Sequence, residues 1–73
     1  MKIRYSDCEI DVSPGDIVVF IDEALSEKPD EYIIRNLFFE QGVLYAELDD
    51  GQKVPFIFLL PKKLIERRRK KDV

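Results

Sequence analysis

The chain has 73 residues, of which 45% are hydrophobic and 37% charged, and its formal net charge is −3. This length allows one small domain, because domains usually take about 100–200 residues. With no histidine and one cysteine, the composition excludes histidine-based catalysis, an intrachain disulfide and a zinc site built from the usual Cys and His ligands.

The first half of the chain predicts short strands separated by turns. Alternating residues at 2–5 and 8–12 flank a Ser-Asp pair and predict a small hairpin. The Ser-Pro-Gly-Asp stretch at 13–16 predicts a turn, because proline presets one backbone angle and glycine supplies a positive one. Residues 17–21 are β-branched or aromatic and predict a strand, and the polar, acidic residues 22–30 predict a loop.

The second half predicts three further strands and a basic end. Residues 31–39 and 43–48 are the clearest strands, and the Asp-Asp-Gly turn at 49–51 predicts a hairpin to a strand at 52–59. That last strand contains a proline, which argues for a sheet edge or a bulge. Residues 62–71 favour a short helix, with a final strand as the alternative.

Strands at this spacing predict an all-β fold, a small and mainly antiparallel barrel or sandwich. The stretches 14–19 and 48–54, with the long acidic loop between the first strands, resemble the SH3-like small barrels. The resemblance implies an SH3-like barrel of about five strands over residues 1–66. A short basic C-terminal helix would follow, with residues 67–73 forming a basic tail. The resemblance is one of architecture and assigns no functional residues.

Groups able to carry out catalysis are sparse in this sequence. Cys8 has no histidine to form its thiolate, and its alternation with Ile10 and Val12 predicts a small buried hydrophobe. The paired carboxylates lie in predicted turns and loops, and there is no glycine-rich phosphate loop. We expect no enzymatic activity, no cofactor and no metal site.

Charge is distributed unevenly along the chain. Residues 1–61 carry five basic and thirteen acidic side chains, a net charge of −8, whereas residues 62–73 carry seven basic and two acidic ones, a net +5. The candidate anion or nucleic-acid contacts are the cations Arg67, Arg68, Arg69, Lys70 and Lys71. This run either binds nucleic-acid phosphates, binds a protein or anionic lipid, or is a solvated helix end.

The strand at 31–39 is apolar on both of its predicted faces. One face would carry Tyr32, Ile34 and Phe38, and the other Ile33, Leu37 and Phe39. A small barrel has only one interior, so the outer face needs a cover. The N-terminal hairpin, the C-terminal segment, a second copy of the chain or another protein would supply it.

These features predict a non-catalytic interaction module that binds another protein through an apolar patch and an acidic loop. The predicted contact residues are Tyr32, Ile34, Phe38, Asp22, Glu23 and Glu27. The alternative is a nucleic-acid-associated accessory protein that uses the basic tail. The longest apolar run has five residues, at 56–60, so we expect no membrane span. We also expect a cytoplasmic location. The chain is expected to be a monomer or a homodimer.

Overall fold

Short antiparallel strands and one C-terminal helix make up most of this fold. The computed structural model describes the backbone of residues 1–71 and the side chains of residues 1–69. The elements are β1 (Lys2–Arg4), β2 (Glu9–Asp11), β3 (Ile17–Phe20), β4 (Tyr32–Glu40), β5 (Val43–Leu48), β6 (Lys53–Pro55), β7 (Leu59–Pro61) and α1 (Lys62–Lys71), with 3-10 turns at Ile21–Glu23 and Phe56–Phe58. No helix in this part of the chain is long and apolar enough to cross a membrane.

The strands form one five-stranded sheet and one hairpin. The order in the large sheet is β6-β5-β4-β3-β7, with antiparallel neighbours throughout, and β1 pairs with β2. The predicted mainly antiparallel β fold and the C-terminal helix are therefore confirmed. Neither sheet of the described residues closes on itself.

β4 and β5 are joined by a two-residue turn. Glu40 pairs with Val43, and the intervening Gln41 and Gly42 have positive φ angles of 52° and 77°. Two positive φ angles are the pattern of a type I′ turn, whose twist matches that of the flanking strands. This geometry explains why a long hairpin forms between two strands of high β propensity.

The hairpin predicted at the Asp-Asp-Gly turn is also confirmed. The amide of Gly51 donates to the carbonyl of Leu48 at 3.0 Å, and the amide of Leu48 donates to the carbonyl of Gln52 at 2.8 Å. Gly51 has a φ of 92°, which suits the last position of a three-residue hairpin loop. The following strand, β6, pairs with β5.

The continuous strand predicted over residues 52–59 is wrong. β6 ends at Pro55, the 3-10 turn Phe56–Phe58 follows, and β7 starts at Leu59. The break has a topological cause, because β6 pairs with β5 at one edge of the sheet while β7 pairs with β3 at the other. The turn also buries Phe56 and leaves Ile57 and Phe58 exposed.

A second correction concerns the two faces of β4. Arg35 and Asn36 together occupy the space opposite Glu47, so the strand contains a bulge. The extra residue shifts the alternation of side chains beyond it. Ile34 faces the core and is 1% exposed, whereas Phe38 lies on the opposite face, so the predicted grouping of these two residues on one face is wrong.

One hydrophobic core lies between the large sheet, the β1–β2 hairpin and the helix. Its buried members are Ile10, Val12, Val18, Ile34, Ala46, Leu48, Val54, Phe56, Leu59 and Leu64. Val19 points to the other face of β3, and it is buried there beside Ile65 of α1. The helix therefore contributes one side chain to the core and covers the outside of β3.

Candidate interaction surface

The segment between β3 and β4 is held close to the helix. It begins with the 3-10 turn Ile21–Glu23, and the Ser26 hydroxyl donates to the Glu23 carbonyl at 2.8 Å. At its other end the ammonium of Lys62 lies 3.0 Å from a carboxylate oxygen of Glu31. The hydrogen bond to Glu31 raises the pKa of the Lys62 ammonium above its usual value. These contacts give the acidic loop a defined position next to α1.

The predicted acidic contacts do not converge on one point. Asp22 and Glu27 are exposed and Glu23 is half-buried. Asp22 borders a pocket formed with Phe58, whereas Glu27 lines a different groove beside α1. Within the described residues, no group of three or more Asp, Glu, Cys or His side chains is arranged to hold a metal ion.

Apolar side chains are unusually exposed around this loop. The side chain of Leu25 is 100% exposed, that of Ile21 47% and that of Phe58 54%. Ile21 and Phe58 line a shallow pocket together with Phe20 and Asp22. A soluble chain rarely leaves several large apolar side chains exposed in one area unless the area binds something.

A groove next to this pocket lies between the loop and the helix. Its volume is about 270 Å³, and its apolar walls come from Ala24, Leu25, Leu60 and Ile65. Among the side chains that the structure describes, those of Arg68 and Arg69 complete its lining. We name as the apolar face the residues Ile21, Leu25, Phe58, Leu60 and Ile65.

Strand pairing explains why these distant residues meet. Val19 pairs with Leu60 in the antiparallel register of β3 and β7, so both side chains point to the same face of the sheet. β3 leads into the 3-10 turn that contains Ile21, and β7 follows the one that contains Phe58. Pairing of the two strands therefore brings these turns together, and the side chains of Ile21 and Phe58 line one pocket. The helix follows β7 directly and places Ile65 over Val19.

The apolar patch predicted on β4 is not a single surface. Tyr32 is half-buried and packs edge-on against Phe20, with ring centroids 5.4 Å apart. Phe38 stacks on Tyr45 at 5.9 Å, and the Lys53 ammonium lies 5.5 Å and 4.9 Å from the two ring centroids. Side chains from the neighbouring strands therefore cover part of Phe38, while Ile34 belongs to the core.

The basic end continues the helix. Arg67, Arg68 and Arg69 are exposed, and the side chains of Lys70 and Lys71 lie outside the described residues. Arg68 donates from Nε and Nη2 to the two carboxylate oxygens of Asp7, each at 3.3 Å. Those bonds raise the pKa of the Arg68 guanidinium.

The start of the helix is tied to acidic residues in a similar way. Lys63 Nζ lies 3.1 Å from Oδ2 of Asp16 and 3.1 Å from the Asp11 carbonyl oxygen, to both of which it donates. Together with the Lys62–Glu31 pair, this contact directs basic charge of α1 towards the acidic body. The charge asymmetry of the sequence thus contributes to docking the helix.

Cys8 packs against the core from the hairpin. It is half-buried, and Ile10 and Val12 on the same face are buried, as the alternation in the sequence predicts. Its sulfur lies 3.8 Å from a carboxylate oxygen of Asp7.

Comparison with models of known protein families, with curated proteins and with solved structures found no match. The apolar face was not among the residues singled out from the sequence. One signal for it was present, because Leu25 is a large apolar residue inside an otherwise polar and acidic loop. Leu25 lines one groove with Leu60 and Ile65, and that contact between distant segments is not specified by local sequence patterns.

Proposed function

We propose that this protein is a non-catalytic interaction module that binds another protein through the apolar face. The observation that carries the proposal is the full exposure of Leu25, which lines a groove together with Leu60 and Ile65. The exposed Ile21 and Phe58, which line a second pocket, add to it. Protein interfaces commonly combine an apolar centre with a polar rim. Asp22 and Arg69 border the apolar face and would belong to that rim.

An SH3-like architecture is part of this proposal. It is supported by the strand order β6-β5-β4-β3-β7, by the long loop between β3 and β4, and by the 3-10 turn between β6 and β7. The bulge in β4 bends that strand, as strands that contribute to both halves of a small barrel require. A cytoplasmic location is also proposed, since the free thiol of Cys8 suits a reducing compartment.

A nucleic-acid-associated function is the alternative, and it rests on the exposed Arg67, Arg68 and Arg69. It has less support because Arg68 is bonded to Asp7 and Lys63 to Asp16. Arg68 would offer a phosphate only the donors that Asp7 does not take, and residues 61–73 carry no aromatic side chain on which bases could stack. The two functions differ in salt dependence, which is steep for phosphate contacts and shallow for apolar interfaces.

The proposal is tested by affinity capture with the full chain and two variants as bait. Leu25→Asp places a charge on the apolar face, and because Leu25 is fully exposed the fold should tolerate it. Phe39→Asp is the matched control, since Phe39 is 63% exposed on the β4–β5 hairpin. We expect a host protein that the unmodified chain and Phe39→Asp capture and that Leu25→Asp loses.

Two results would contradict this function. One is a captured protein that Leu25→Asp retains at the same level. The other is recovery of nucleic acid that declines steeply with salt and disappears when Arg67 and Arg69 are replaced by glutamine. The second result would support the alternative function.

A further inference from the structure

The groove formed by Leu25, Leu60 and Ile65 of the apolar face carries positive charge at its edge. Its apolar lining is accompanied by two guanidinium groups, those of Arg68 and Arg69, and no carboxylate of residues 1–69 lines it. Building on the function proposed above, we infer that the partner segment is an acidic peptide whose apolar side chains enter this groove. Its carboxylates would meet the two arginines at the groove's edge.

Arg68 is held in position before any partner arrives. Its two hydrogen bonds to Asp7 fix the guanidinium, which lies 5.8 Å from the ring centroid of Tyr5. A guanidinium offers five N–H donors, so donors remain after the two bonds to Asp7. A side chain that is already ordered loses less conformational entropy when it binds a carboxylate.

Arg69 is the second cation at the groove. Among the described side chains it has no ion-pair partner, and it lines both the groove and the adjoining depression next to the acidic loop. A carboxylate placed at Arg69 would gain a charge-assisted hydrogen bond without breaking an existing pair. Arg69 is therefore the residue on which recognition of an acidic partner should depend most.

The adjoining depression differs from the groove in its charge. It shares Ala24, Ile65 and Arg69 with the groove, and three carboxylates and three cations line it, those of Glu27, Glu31 and Glu66 and those of Lys28, Lys62 and Arg69. The described charged side chains of the depression balance one another, whereas those of the groove are both cationic, so acidic groups of a partner are attracted more strongly to the groove.

The test uses a displayed library of random peptides selected against the full-length protein. We expect the enriched peptides to combine apolar residues with Asp or Glu. One enriched peptide, made synthetically and fluorescently labelled, is then titrated with each variant. Binding should weaken at least about tenfold with Arg69→Glu, because like charges then face each other. Arg67→Glu is the matched control, since Arg67 lies on the same helix but does not line the groove.

Each outcome supports or overturns either the acidic-partner inference or the proposed function on which that inference rests. Enrichment without acidic bias, no enrichment at all, or equal weakening by Arg67→Glu and Arg69→Glu overturns the acidic-partner inference. In those cases, loss of the captured host protein with Leu25→Asp would still uphold the proposed function. A peptide that binds the Leu25→Asp variant as tightly as the unmodified protein contradicts both the acidic-partner inference and the proposed function. Circular dichroism checks that the variants fold, and Arg69→Gln, which removes the charge without reversing it, replaces Arg69→Glu if the latter does not.

Discussion

The Tyr5 side chain makes two opposing contributions to the stability of the fold. Its ring packs against the core from the β1–β2 hairpin, with the guanidinium of Arg68 close to it. Its hydroxyl is buried and has no hydrogen-bond partner among the described residues. Burial raises the pKa of the Tyr5 phenol, mainly because the charged form would lose its hydration. The ring of Tyr5 therefore stabilises the folded state, whereas its unpaired hydroxyl destabilises it.

Replacing Tyr5 with phenylalanine should stabilise the protein. Tyr5→Phe keeps the ring and removes a buried hydroxyl whose desolvation is uncompensated, and we expect a gain of about 1 kcal/mol in the free energy of unfolding. Urea unfolding followed by circular dichroism measures it. Tyr45→Phe is the control and should change stability by less than about 0.5 kcal/mol. A loss of stability in Tyr5→Phe would mean that the hydroxyl has a partner in solution.

At the scale of elements, the sequence predicted correctly the strands, helix and turns that depend on residues adjacent in the chain. Strand β5 has the predicted bounds, the helix spans the predicted residues, and the hairpin turn at 49–51 forms. The faces of β4 were predicted wrongly because the bulge at Arg35 and Asn36 is defined by the partner strand. The strand expected through Pro55 was wrong for a similar reason, since the position of β7 depends on its pairing with β3.

The β4–β5 hairpin should depend on its two-residue turn. Gly42 has a φ of 77°, and nothing lies within 4 Å of the position a Cβ would take there. Gly42→Ala therefore adds backbone strain without a clash, and we expect it to lower the free energy of unfolding by about 1–2 kcal/mol. Gln41→Asn should act in the opposite direction, because asparagine tolerates a positive φ better than glutamine. Equal stability of the two variants in urea would contradict a type I′ turn.

At the scale of the whole molecule, composition and strand spacing predicted the class of fold but not its surface. The apolar face joins Leu25 in a loop, Phe58 at the end of a 3-10 turn and Ile65 on the helix. These residues are far apart in the sequence, and the pairing of β3 with β7 brings the segments that carry them together. The helix links this surface to the core, because Leu64 is buried while its neighbour Ile65 lines the groove.

This arrangement predicts opposite consequences for two adjacent residues of the helix. Leu64 is 0% exposed, and removing a fully buried leucine side chain costs about 2–5 kcal/mol. A domain of this size has only about 3–5 kcal/mol in total, so Leu64→Ala should leave much of the chain unfolded at room temperature. Ile65→Ala is the matched control, and it should keep the protein folded while weakening partner binding. Thermal unfolding followed by circular dichroism compares them, and equal midpoints would show that the helix does not complete the core.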